Sequence, residues 1–270
     1  MKTSFQKGIL GNTELNVGRL GVAASYGAPA KAFEEAFEKG CNYFYIGSGK
    51  RRAGMRQAVR NIVGQGQRDR LIVAIQTYAR FGFLTEYTFH RALRSMHLEY
   101  ADILILGWHN RPPSRMILNR ALALKEKGLI RHLGMSGHNR RLFPQMVKEN
   151  LFDVFHIRYN AAHRGAEEES FPHLTGEDRA GIVTYTATRW GQLLDPKKMP
   201  SGIAALTPED CYRFVLSNPA VDVCMCGPKD VGQMQTALSA LDLGPLVDDD
   251  MKRIKTIGDH VRSTARGFFG

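Results

Sequence analysis

Cysteine is scarce, at four in 270 residues, too few for a disulfide framework. Two of the four, Cys224 and Cys226, lie in one apolar run that ends at Gly227. Residues two apart on a strand share a face, and they read as small buried side chains rather than as a metal or redox pair. No stretch approaches the 18 consecutive apolar residues of a membrane span. The opening MKTSFQKGIL lacks the apolar core of a secretion signal, so a cytoplasmic location is expected. Carboxylate is the minority charge: 26 Asp and Glu against 37 Lys and Arg leave a formal +11. That excess favours anionic partners. The basic residues are spread along the chain, with no basic arm and no RNA-binding aromatic signature. The expected partner is therefore a small anionic or phosphorylated ligand, with neither nucleic acid nor a membrane.

Several motifs are missing as well. No G-x-G-x-x-G follows the first candidate strand, where the chain runs Ala24-Ser25-Tyr26-Gly27-Ala28-Pro29, which argues against a doubly wound dinucleotide fold. There is no H-E-x-x-H, and no acid stands near the loop histidines His109, His138, His156 and His163, so no metal site is expected. Ser136-Gly137-His138 lacks the G-x-S-x-G elbow of a serine hydrolase.

What is present is 43% hydrophobic residues, enough for a sizeable core, arranged as short apolar runs alternating with amphipathic stretches. Candidate strands are Leu20–Ala24, Tyr43–Ile46, Leu71–Gln76, Ala101–Leu106, Ile130–Met135, Val154–Ile157, Ile182–Tyr185 and Val221–Cys226. Their near-continuous hydrophobicity suits parallel strands covered on the outside. Between them, Lys31–Lys39 carries Ala32, Phe33, Ala36 and Phe37 at helical spacing. Thr85–His97 reads as a helix capped by its Thr, and Thr207-Pro208-Glu209-Asp210 opens another. Eight such repeats predict a single (β/α)8 barrel domain over residues 1–270. Gly11-Asn12 turns an N-terminal β-hairpin that could cover the base, and residues from about Leu246 form a basic C-terminal helical tail outside the barrel.

Working residues of such barrels sit where strands end. That rule selects Tyr45, Ser48, Lys50, Gln76, Tyr78, Trp108, Ser136, His156, Arg158, Tyr185, Gly227 and Lys229 among others, a mouth with almost no carboxylate. A two-carboxylate glycosidase is excluded on that ground.

The chain resembles the aldo-keto reductase superfamily over nearly its whole length. Leu10-Gly11-Asn12-Thr13-Glu14-Leu15-Asn16-Val17-Gly18-Arg19-Leu20-Gly21 is similar to that family's L-G-x-T-x-L-x-V-x-R-L-G. Gly40-Cys41-Asn42-Tyr43-Phe44 is similar to its G-x-N-x-F, and Glu99-Tyr100-Ala101-Asp102 to its fourth-strand D-Y-x-D. Lys127-Gly128-Leu129-Ile130-Arg131 through Ser136 resembles K-G-x-I-R-x-x-G-x-S. The resemblance implies an oxidoreductase barrel using NADP(H), with an Asp, a Tyr acid, a Lys and a His as catalytic tetrad. Here those four places fall on Tyr45, Lys50, Gln76 and Gly107, so ordinary tetrad-dependent carbonyl reduction is not expected. In the cofactor positions the resemblance places Ser136, His156 and Tyr185, with Gly227, Lys229 and Gln233 at the phosphate end.

Two catalytic candidates follow. Tyr45 and Lys50 again supply a phenol and an ammonium, and a nearby Lys⁺ would lower the Tyr pKa into the range of a general acid. Against this stands a Tyr45 that merely fills vacated space, with Lys50 a solvated loop cation. Three functions stay open: a rewired NADP(H)-dependent oxidoreductase, a non-catalytic nucleotide or metabolite sensor, and a non-redox isomerase or lyase acting on an anion.

Overall fold

The computed structural model describes residues 4–47, 49–176 and 178–265. Two short antiparallel strands, β1 (Gly8–Ile9) and β2 (Asn16–Val17), come first. Eight parallel strands then close a barrel: β3 (Leu20–Ala23), β4 (Tyr43–Ile46), β5 (Ile72–Thr77), β6 (Ala101–Leu106), β7 (Ile130–Gly137), β8 (Val154–Arg158), β9 (Gly181–Tyr185) and β10 (Val223–Cys226). Each strand pairs with its neighbour in chain order, and β10 closes on β3. Every apolar run expected to be a strand is one, to within two residues at its ends.

The reason is burial on both faces. Inward residues Tyr43, Ile72, Ala74, Ile103, Ile105, Val154, Val183 and Val223 form one cluster inside the barrel. Outward ones such as Phe44, Val73, Leu104, Phe155 and Ile182 join a larger layer under the helices. Cys224 and Cys226 belong to that outer layer, as free buried thiols. The hairpin does cover the base: Leu10 and Val17 are fully buried and pack into the inner cluster. Gly11, at φ 54°, allows the close approach, since a Cβ there would run into the backbone of residues 179–181.

Helices α1 (Ala30–Glu38), α2 (Ala53–Gly64), α3 (Gly82–Met96), α4 (Arg115–Glu126), α5 (Leu142–Lys148), the single turn α6 (Ala166–Glu169), α7 (Pro208–Leu216), α8 (Val231–Leu243) and α9 (Asp248–Ser263) complete the order. Thr207 caps α7 as expected, in a reciprocal capping box with Asp210. Thr85 does not cap α3. The helix begins three residues earlier, and the Thr85 hydroxyl instead donates to the Phe81 carbonyl within it. The tail also differs from expectation. Helix α9 is charge-balanced, with Asp248, Asp249 and Asp250 in its first turn where the helix dipole favours acids. No described helix is long and apolar enough to cross a membrane.

Three aspartates stitch the strands near their N-terminal ends. Asp102 accepts from the Val73 N–H and from Arg68. Asp153 accepts from the Leu133 N–H and Lys125, and Asp222 from the Ile182 N–H and both Nη atoms of Arg179.

Candidate active site

The strands' C-terminal ends open into a cleft of about 1230 Å³. Seven of the eight sequence-selected site residues line it: Tyr45, Ser136, His156, Tyr185, Gly227, Lys229 and Gln233. Lys50 is the exception. The chain leaves β4 through Gly47, whose carbonyl accepts from Arg52 at 2.8 Å, and Lys50 lies exposed in the loop outside the lining. Ser48 lies outside the described residues. The expected Tyr45–Lys50 pair is therefore not formed. Burial, and then Tyr78, push the Tyr45 phenol well above its ordinary pKa instead of below it. At neutral pH this phenol is a neutral hydrogen-bonding group, not an acidified one.

The floor is built from residues that fill the space of their neighbours. The Tyr45 ring covers Gly47, where a Cβ would come within 2.7 Å of its hydroxyl. The Tyr45 and Tyr78 hydroxyls lie 3.5 Å apart. Deeper, Tyr43 and His156 Nε2 share a hydrogen bond of 2.7 Å, and burial lowers the His156 pKa to about 3. Gln76 occupies the room above Gly107, 2.5 Å from where a Cβ would stand. Its Oε1 accepts from Ser136 Oγ, which in turn accepts from the Trp108 N–H. The four places expected to have lost a tetrad are thus filled by a Tyr, an exposed Lys, a Gln and the Gly that gives the Gln room.

Three further residues line the cleft that the strand-end rule passed over. Arg80, two residues beyond Tyr78, is held by the carbonyls of Gly107 and Trp108 at 3.1 and 2.9 Å. Burial and this guanidinium lower the His109 pKa to about 4. Tyr26 and Tyr212 add two rings to the wall. The position of Arg80 as the first cation past its strand was a readable signal; Tyr26 and Tyr212, from a turn and a helix, gave none. Trp108, Thr186 and Trp190 all hold positive φ at the rim, conformations uncommon outside glycine and enriched at functional sites. Among the lining residues there is no Asp or Glu, while Arg80 and Lys229 supply positive charge. No group of three or more His, Cys, Asp or Glu among the described residues could hold a metal.

The residues fit a dinucleotide at its two ends. The Tyr185 ring offers a flat platform, fixed by its hydroxyl donating to the Gly137 carbonyl at 3.2 Å. The exposed Lys229 ammonium has no described partner and suits a phosphate. Between them the open amide cradle expected at the start of α8 is covered by the chain itself. Asp230 caps the helix by accepting the Gln233 N–H, the Gln233 side chain accepts the Lys229 N–H, and the Tyr26 ring packs on Gly227. Gln233 and Tyr26 are exposed, while the Asp230 carboxylate holds the Gln233 N–H as the helix cap. The buried face of α8 is Met234, Ala237 and Ala240, with Val231, Leu238 and Leu241 partly buried at its margin.

No protein-family profile and no curated protein matches the chain. Solved structures do. An aldo-keto reductase from Bacillus halodurans in its holo form superposes with a TM-score of 0.78 at 18% identity, covering 94% of this chain and 96% of that one. The apo form of the same reductase gives 0.76 at 19% identity with the same coverage. The chain therefore has the fold of the aldo-keto reductases, a closed (β/α)8 barrel with an N-terminal hairpin.

Proposed function

We propose that this chain is a single barrel domain, residues 1–270, of aldo-keto reductase descent, working in the cytoplasm as a binder of NADP(H) or a closely similar anionic nucleotide. Tetrad-dependent carbonyl reduction is lost in it. The observation that carries the reading is the neutrality of the floor. Tyr43, Tyr45 and Tyr185 are all pushed up, and His138 and His156 are pushed down. On this reading the Tyr45 and Tyr185 phenols stay protonated and His156 stays neutral near pH 7, and no Tyr beside a Lys is acidified for general-acid work.

What remains is recognition. Tyr185 and the rim tryptophans present flat faces, Arg80 and Lys229 present charge, and the Tyr45–Tyr78 pair offers neutral phenols to a ligand oxygen. NADP(H), when bound, supplies a hydride at its nicotinamide; this chain's residues bind and orient it without the acidified Tyr that a Lys partner would provide. Calorimetry with NADPH tests the reading. Saturable binding is expected, weakened by Lys229→Ala by about 1–3 kcal/mol, the cost of losing a charged hydrogen-bond partner. Stopped-flow mixing of bound NADPH with a panel of aldehydes should show no oxidation. Absence of NADPH binding would remove the nucleotide, and rapid oxidation would restore an enzyme.

A further inference from the structure

Several cationic side chains and a buried imidazole gather where the end of β8, the loop after β9 and the end of α9 meet. Arg158 closes β8, in register with Tyr185. His163 sits in the turn that follows, bridged to Asn160. Arg189, 1% exposed, donates to the Val261 carbonyl on α9 at 3.4 Å, which brings the neighbouring Arg262 to the same place. Arg140 packs on the backbone at Gly165, where a Cβ would lie 2.7 Å from its guanidinium.

Three carboxylates of this region are already engaged. Glu169 accepts from Arg140 and Arg141, Asp259 from Arg164, and Glu167 from the Tyr159 hydroxyl. Neither Arg158 nor Arg262 has a hydrogen-bond or ion-pair partner among the described residues. His163 is 4% exposed, and its buried Nε2 has no hydrogen-bond partner. Burial, then Arg158, Arg189, Arg262 and Arg140, lower its pKa to about 4, so the ring is neutral and donates from Nε2 in the matching tautomer. A buried unsatisfied nitrogen beside like charges is costly, and one oxyanion answers both costs.

We propose that His163, Arg158 and Arg262, backed by Arg189, form a binding site for a phosphate-class oxyanion beside the aromatic cleft, which Arg158 borders through Tyr185. Guanidinium groups and a ring N–H match the geometry of phosphate oxygens. The ligand chemistry is shared by free phosphate and by the phosphate end of a small metabolite, which two titrations separate.

Inorganic phosphate and glycerol phosphate are titrated in turn into the full chain, followed by calorimetry and by the ¹⁵N shifts of the His163 ring. Saturable binding that moves the His163 resonances is expected, with the tighter of the two probes naming the source. Arg262→Ala, at an exposed position, and Arg158→Gln should each weaken it at least tenfold, while Lys127→Ala, at an exposed lysine just after α4, should not. The site is overturned if neither probe binds saturably below 10 mM, roughly the weakest affinity at which a specific site is recognisable. It is equally overturned if Arg262→Ala binds as wild type does, or if Lys229→Ala alone abolishes binding, which would put the anion in the cleft.

Discussion

At the base of the barrel Asp102, Asp153 and Asp222 each take a backbone N–H from the adjacent strand and a charged partner from a loop or helix. At the mouth no carboxylate lines the cleft, and beside the cations Arg80 and Lys229 its polar groups are amides, hydroxyls, and phenols and imidazoles such as Tyr45 and His156 that burial holds neutral. Both ends satisfy buried polar atoms. The base does so with full charges locked in fixed pairs, which favours permanence. The mouth does so with neutral groups that exchange one hydrogen-bond partner for another at small cost, which favours a ligand. Stability and recognition are thus separated along the barrel axis.

The contrast breaks most sharply at the base. Asp222→Ala leaves the Arg179 guanidinium and the Ile182 N–H without their acceptor. It should cost about 3–5 kcal/mol in urea unfolding, with ligand affinity of the folded fraction unchanged. Acid separates the two ends next. For Asp153, burial, which alone would raise the pKa, is outweighed by His132, the Leu133 N–H and Lys125, which hold it at about 2 against the ordinary 3.8 of a free Asp. The folded value lies below the unfolded one, so this stability is complete above pH 4 and is lost as pH falls towards 2, about 2 kcal/mol in all. The mouth histidines lose theirs earlier. His156 and His109 are depressed from 6.5 to about 3 and 4; the unfolded chain takes up protons first, and stability falls from pH 6.5 downward. Urea unfolding at pH 7, 5 and 3 should show loss in both intervals, and His156→Gln should flatten both, because that ring stays neutral in the fold down to about pH 3.

Smaller effects lie in the filled floor. Gly107→Ala drives a Cβ into Gln76 and should cost about 1–3 kcal/mol, as overpacking does, with Gln76→Ala in the same chain recovering most of it. A simple sum of the two single effects would show that they do not share space. Tyr45→Phe should change stability least, by about 1 kcal/mol or less. It should weaken ligand binding by a similar amount without altering any turnover.

The barrel was legible because its signal is local and repeated: eight continuous apolar runs separated by amphipathic segments leave little choice of architecture. Tyr45, Ser136, Tyr185 and Lys229 were legible for the same reason, since strand ends point at the mouth. Side-chain reach was not. Lys50 is five residues from Tyr45, yet the turn at Gly47 and the Arg52 anchor carry it outward. The start of α3 was misplaced because the chain at Gly82 packs closely on α4, where a Cβ would meet Met116 and Arg120. Self-capping of α8 by Asp230 and Gln233 is written in the sequence as an ordinary cap, and only the fold shows that it covers the expected phosphate cradle.

The hairpin has a kinetic consequence. With Leu10 and Val17 sealing the base, the barrel has one door, and whatever reaches Tyr45 leaves by the path it took in. Two ligands sharing the cleft would then obey a queue: the one nearer Trp108 and Trp190 arrives last, departs first, and while in place holds the dissociation rate of the inner one near zero.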